Sequence, residues 1–227
     1  MDAPEAFATR RNPRPTRERK GPVNAATDTV KPPDAVTPPP RSPARTGPWR
    51  WKSGRAREEV FDVVDETGRA IGRAPRSACH GNPALIHPSV HVHVFDRQGR
   101  LFLQKRSRHK ETQPGRWDTS VGGHLRPGED PAAGARREAR EELGWRGRTL
   151  RFLYAYLWRC PRESEWVRTY AARADGPFTL DPVEIDDGRF WTPEEIDAAL
   201  GTGVFTPNFE EEWRRLADGP AMPGRRH

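Results

Sequence analysis

The sequence predicts an α+β fold: a mixed, curved β-sheet with helices packed on its faces. Three observations point there. Stretches with a period of two outnumber stretches with a helical period. The two kinds do not alternate regularly, as parallel βαβ repeats would. Large apolar residues are nearly absent before residue 58, so a chain of 227 residues keeps one ordinary domain's worth of core-forming sequence.

Each element follows from local chemistry. In "EEVFDVVDETGRAIGRAPR", apolar and polar residues alternate on both sides of Asp65–Gly68, the pattern of a hairpin. "SACHGNPALIHP" reads as a short polar connection. "SVHVHVFDRQGRLFLQKRS" gives two strands around a turn at Asp96–Gly99. Val90, Val92 and Val94 take one face there, and His91, His93 and Phe95 the other. "GRWDTSVGGHL" is a Gly-rich connection holding a short strand. A helix follows, with Asp130 as N-cap, Pro131 at N1 and Gly144 at C′. "LRFLYAYLWRC", "EWVRTYAARA" and "DGRFW" are strands. "TPEEIDAAL" and "NFEEEWRRLA" are helices, with Thr192 and Asn208 as their expected caps.

The charge is uneven. Residues 1–57 hold 13 Lys/Arg, 5 Asp/Glu and 11 of the 24 prolines, and the remainder holds 26 basic and 27 acidic residues. The basic character belongs to the leading segment, so the net charge of +7 does not mark the folded part as a nucleic-acid binder. That segment buries too little to offset its ordering entropy and is expected to be a disordered tail. It is either simply solvated or a tether to nucleic acid, anionic lipid or an acidic partner. The expected domain is 58–217, with a second short tail at 218–227. No apolar run follows Met1 and no stretch suits a membrane span, so a cytoplasmic protein is expected. Cys79 and Cys160 are then reduced thiols.

The helix 131–143 poses an electrostatic problem. Glu138, Glu141 and Glu142 share a stripe about 100° wide, in the last two turns, where the helix dipole favours cations. Like-charge neighbours at these spacings cost about 0.2–0.5 kcal/mol each. A divalent cation reverses the sign of every one of those terms, since Mg2+ binds through carboxylates and substrate phosphate. A solvated acidic face compensated by Arg137 and Arg140 is the alternative for "REAREE" alone. Ala135, Ala139 and Leu143 form the adjoining stripe, suited to close packing on the sheet.

The same stretch carries a long gapped signature: Gly123, five residues, Glu129, seven residues, then "REAREELGW", with Trp145 the loosest fit at the last position. In this the chain resembles the Nudix hydrolases. The resemblance implies an α/β/α sandwich around a mixed β-sheet, a Mg2+ or Mn2+ cofactor, and hydrolysis of a small-molecule diphosphate, typically a nucleoside diphosphate linked to another moiety. It implies Glu138, Glu141 and Glu142 as metal ligands, with Arg137 orienting the carboxylates. Gly123 would allow the backbone turn, Glu129 would brace the loop and Gly144 would close the box. Glu138 or Glu142 would take the proton of the attacking water, with Glu184 a weaker candidate.

Outside the box, "VVDETGRAIG", "ACHGNPALIHPSVHVHVFDRQGRLFLQKRS", "PGRWDTSVGGH" and "FTLDPVEIDDGRFWTPEEI" resemble Nudix proteins similar to isopentenyl-diphosphate isomerase. In that group a metal sits among three histidines and two glutamates, which match His80, His87, His124, Glu163 and Glu165 here. Such a donor set suits Mn2+ or Zn2+. The isomerases also need a cysteine in the loop before the third histidine, where this chain has Gly122. The intact box and the missing thiol favour hydrolysis over isomerisation, with a non-catalytic diphosphate-binding module as a further alternative. Trp117, Tyr154, Tyr156, Trp158 and Trp166 either stack on substrate or fill core. Lys105, Arg106, Arg108 and Lys110 either steer a polyanion or form a solvated loop.

Overall fold

Two aspartates start the two hairpins. Asp65 Oδ1 accepts from the Thr67 amide at 2.9 Å and Gly68 supplies φ +82°. Asp96 Oδ1 accepts from the Gln98 amide at 2.9 Å and Gly99 supplies φ +81°. These side-chain-anchored turns join β1 (Val60–Val64) to β2 (Ala70–Pro75), and β3 (Ile86–Phe95) to β4 (Leu101–Arg106). The structure, a computed structural model, describes residues 58–218. The expected tails lie outside the described residues, except that the last helix runs on to include Asp218.

β3 is the axis of the sheet. It pairs antiparallel with β1, β4 and β6 (Val121–His124), and parallel along its whole length with β8 (Ser164–Arg173). β7 (Arg151–Arg159) adds antiparallel to β8, while β5 (Trp117–Asp118) and β9 (Ile185–Trp191) flank β4. The sheet is therefore mixed, as expected. Helices cover both faces. On one, α2 (Pro131–Leu143) packs Ala135, Ala139 and Leu143 against Val90, Val92, Val94 and Val121, all fully buried. On the other, α3 (Pro193–Ala199) and α4 (Pro207–Asp218) bring Ile196, Phe209, Trp213 and Leu216 onto Phe95, Leu101 and Leu103. Among the described residues no helix is long and apolar enough to cross a membrane.

Two local expectations are corrected. The polar connection before β3 contains a one-turn helix, α1 (Arg76–Cys79), which buries Cys79, and β3 starts earlier than expected, at Ile86. The last helix is capped by Thr206, not Asn208. Thr206 Oγ1 accepts from the Phe209 amide at 3.2 Å, and Pro207 takes the first helical position, where no amide is needed. Asn208 instead accepts the Tyr156 hydroxyl at 2.7 Å. The caps of the other helices are as read: Asp130 accepts from Ala133, Gly144 is left-handed at φ +65°, and Thr192 forms a capping box with Glu195.

Candidate active site

The box is built by bringing α2 down onto β6. A Cβ at Gly123 would lie 2.2 Å from Glu138 Cδ, so only glycine lets that carboxyl rest on the strand. Gly123→Ala is expected to displace Glu138 and cut turnover by about a hundredfold, with little loss of fold; unchanged kinetics would contradict the placement.

Arg137 is the hub. Its guanidinium grips Glu129 with two bonds, of 2.9 and 2.8 Å. It also donates to Glu138 (2.6 Å), Glu141 (3.1 Å) and the His124 carbonyl (3.1 Å). The bond to Glu129 comes first among the interactions that hold Arg137 charged, and it depresses the Glu129 pKa in return. Glu142 stands apart. Its buried carboxylate accepts from Gln104 Nε2 at 2.9 Å and from the Gly122 amide at 3.3 Å. Burial, then the Glu138 charge, push its pKa up to about 8. Burial raises Glu138 as well, while Glu141 lies at the exposed rim. Burial outweighs the Arg137 charge at Glu138 and the two hydrogen bonds at Glu142, which is the condition a divalent ion relieves.

A second cluster forms where β3 and β8 run in parallel. That register sets His87 beside Glu165, and the β3–β6 register sets His124 beside Ser89, so strand pairing alone gathers three of the five expected residues. α1 supplies His80 at its C-cap. Ligand atoms of His80, His87 and His124 lie within 4.8 Å of one another. His80 Nε2 faces Glu163 at 3.4 Å, while His87 and His124 Nε2 face Glu165 Oε1 at 3.7 and 3.3 Å. His80 Nε2, His87 Nε2 and Glu163 Oε2 are buried without a hydrogen-bond partner. Orphaned polar atoms aimed at one another are what a bound cation would satisfy. Burial lowers His80 to about 3 and His87 to about 4, so both rings stay neutral and keep a lone pair for metal. Burial opposes the charge of Glu165, yet with the hydrogen bond from His124 as the largest opposing cause its pKa falls to about 2. Phe61 on β1 roofs the cluster, stacked 4.5 Å from His124 and 5.2 Å from His87.

The other candidates divide. Arg106 pairs with Asp118 at 3.0 Å in a half-buried position, and Arg108 with Asp186 at 3.1 Å at the surface. Lys110 pairs with Glu184, and its charge reaches Glu142. Trp117 and Tyr154 pack on the second core, Tyr156 is buried, and Trp166 lies over Gly68. Gln104 was missed in the sequence. Its signal is a buried amide in the otherwise apolar "LFLQ" of β4.

An α/β/α sandwich with a Gly–Glu–Arg-braced acidic helix against its central strands defines a Nudix domain. The chain matches the family model for the NUDIX domain over residues 85–209 and belongs to that family. It is 35% identical over 150 residues to an isopentenyl-diphosphate Δ-isomerase of Streptomyces avermitilis, covering 63% of this chain and 76% of that one. An uncharacterized Nudix hydrolase of Rhodococcus erythropolis is 37% identical over 153 residues, covering 63% and 82%. The crystal structure of DR0079 from Deinococcus radiodurans superposes with a TM-score of 0.62 at 29% identity, covering 69% of this chain and 98% of that one.

Proposed function

We propose that the protein is a divalent-cation-dependent hydrolase of the diphosphate linkage in a small organic diphosphate, such as a nucleoside diphosphate joined to another group. The observation that carries this reading is Glu142. It is a buried carboxyl outside the grip of Arg137, oriented by Gln104 and the Gly122 amide, one helical turn from Glu138. A group so placed takes the proton as water oxygen bonds to phosphorus and the bridging P–O bond breaks. Glu138 and Glu141, with Glu142 as a ligand only so far as its role as base leaves an oxygen free, would hold a Mg2+ or Mn2+ ion, which would neutralise charge at the diphosphate oxygens and ease deprotonation of the water. Arg137, locked on Glu129, keeps Glu138 and Glu141 oriented toward it. Lys110 adds positive charge on the side of Glu142. The five-residue His/Glu cluster is read as a second divalent site, for Mn2+ or Zn2+.

Incubation with Mg2+ and a panel of nucleoside and prenyl diphosphates is expected to release phosphate or a monophosphate. No turnover across the panel overturns the reading.

The His/Glu cluster and the isomerase relative favour a second reading, isomerisation of an allylic or homoallylic diphosphate. It lacks the thiol the isomerases need, because position 122 is glycine and Cys79 is fully buried beside Phe61 and Val63. Proton exchange between substrate carbon and labelled water, if found, would restore it.

A further inference from the structure

The opposite face of β3 carries a buried ion pair that the hydrolytic machinery does not use. Glu212 on α4 is fully buried. Its carboxylate accepts from His91 Nδ1 at 2.8 Å and Thr169 Oγ1 at 2.6 Å, with His93 Nε2 3.4 Å away. A carboxylate this deep demands a counter-charge. Burial opposes a charged His91, yet the Glu212 carboxylate outweighs it, aided by Glu165 on β8 and Asp118 on β5, and the ring titrates at about 9. With Nδ1 committed to Glu212, the remaining donor of the imidazolium is Nε2–H. Among the described residues the hydrogen bond seen for this ring is the one from Nδ1 to Glu212.

The Cδ2–Nε2 edge of the ring lies against Gly122. The two residues are cross-strand partners in the β3–β6 register. A Cβ at Gly122 would sit 3.2 Å from His91 Cδ2 and 3.4 Å from Nε2. The missing side chain therefore uncovers the donor edge of the ring. The same glycine's amide donates to Glu142, so Gly122 touches both the ring edge, through its α-carbon, and the proposed base, through its backbone.

We propose that His91 Nε2–H, uncovered by Gly122 and braced by Glu212, binds the non-diphosphate part of the substrate and requires a hydrogen-bond acceptor there, such as a ring carbonyl or hydroxyl, rather than a hydrocarbon chain. This rests on the diphosphate-hydrolase reading and narrows its substrate class. An acceptor completes the imidazolium's hydrogen bonding, whereas an alkyl chain would desolvate a charged donor and leave it unpaired. A site built to hydrogen-bond its substrate rejects the analogue lacking the partner far better than an apolar pocket rejects an added methylene.

Calorimetry with Mg2+ on the full chain tests this, using α,β-methylene nucleoside diphosphates and methylene-bridged prenyl diphosphates as probes. The wild type is expected to prefer the best nucleoside analogue. His91→Gln should weaken that analogue by about ten- to a hundredfold and leave prenyl analogues nearly unchanged. Gly122→Ala keeps the His91–Glu212 pair, covers the ring edge with a methyl and should act in the same direction, so a misfolded His91→Gln does not shelter the proposal. Equal binding of both series, no binding of either, or unchanged selectivity in the variants overturns it. Turnover of the cognate diphosphates is followed in parallel. Selective binding without hydrolysis refutes the hydrolase reading but supports the role of His91, and hydrolysis with unselective binding does the reverse.

Discussion

Glu142→Gln is expected to lower hydrolysis by about 10²–10⁴-fold while making the metal-free protein more stable at alkaline pH. Both effects come from one carboxyl. Burial, with the Glu138 charge behind it, raises its pKa from the ordinary 4.5 to about 8. Between those values the folded state keeps a proton that the unfolded state gives up, so stability falls as pH rises through that window. The loss amounts to on the order of a few kcal/mol by pH 8. Glutamine keeps the shape and accepts from Gln104 and the Gly122 amide, but it carries no such charge. Thermal midpoints measured from pH 5 to 8.5 in chelator should therefore diverge, with the wild type falling below the variant. Added Mg2+ should restore the wild type and leave the variant nearly unmoved. Parallel pH profiles, or an active variant, would remove Glu142 from the centre of the mechanism.

What the sequence revealed was chiefly what is local. The acidic stripe, its cap at Asp130, its stop at Gly144 and the alanine seam of α2 all lie within fifteen residues, and each follows from helical spacing. The glycine at 123 is local too, though its reason, the closeness of Glu138, is tertiary. The His/Glu cluster was reached only through family resemblance. His87 and Glu165 meet because β3 and β8 pair in parallel, and nothing in either strand announces that partner. His91 and Glu212 are 121 residues apart, and the sequence reading placed His91 on the correct face without finding its carboxylate. The error at Asn208 has a similar origin. Thr206 and Asn208 are both good caps, and the choice was made by Pro207 at the first turn and by Tyr156, which claims the Asn208 carbonyl.

With Mg2+ saturating the box, added Mn2+ or Zn2+ is expected to stabilise the protein further through the histidine cluster, and His87→Gln to abolish that added response. Two orphaned imidazole nitrogens and an orphaned carboxylate oxygen converge in a buried space, roofed by Phe61. An ion that binds only the folded chain, at a hundredfold excess over its dissociation constant, adds about 2.7 kcal/mol. For a domain of this size that raises the thermal midpoint by about 5–10 °C. His87 is the informative position because its ring is fully buried, neutral and aimed at Glu165, and glutamine there removes an imidazole ligand without introducing a charge. The same metal titration on Glu142→Gln should retain the shift, since Glu142 belongs to the other site. If His87→Gln responds to Mn2+ and Zn2+ as the wild type does, the five residues are a neutral core cluster and hold no ion. If Glu142→Gln loses the response while His87→Gln keeps it, the only metal site is the box.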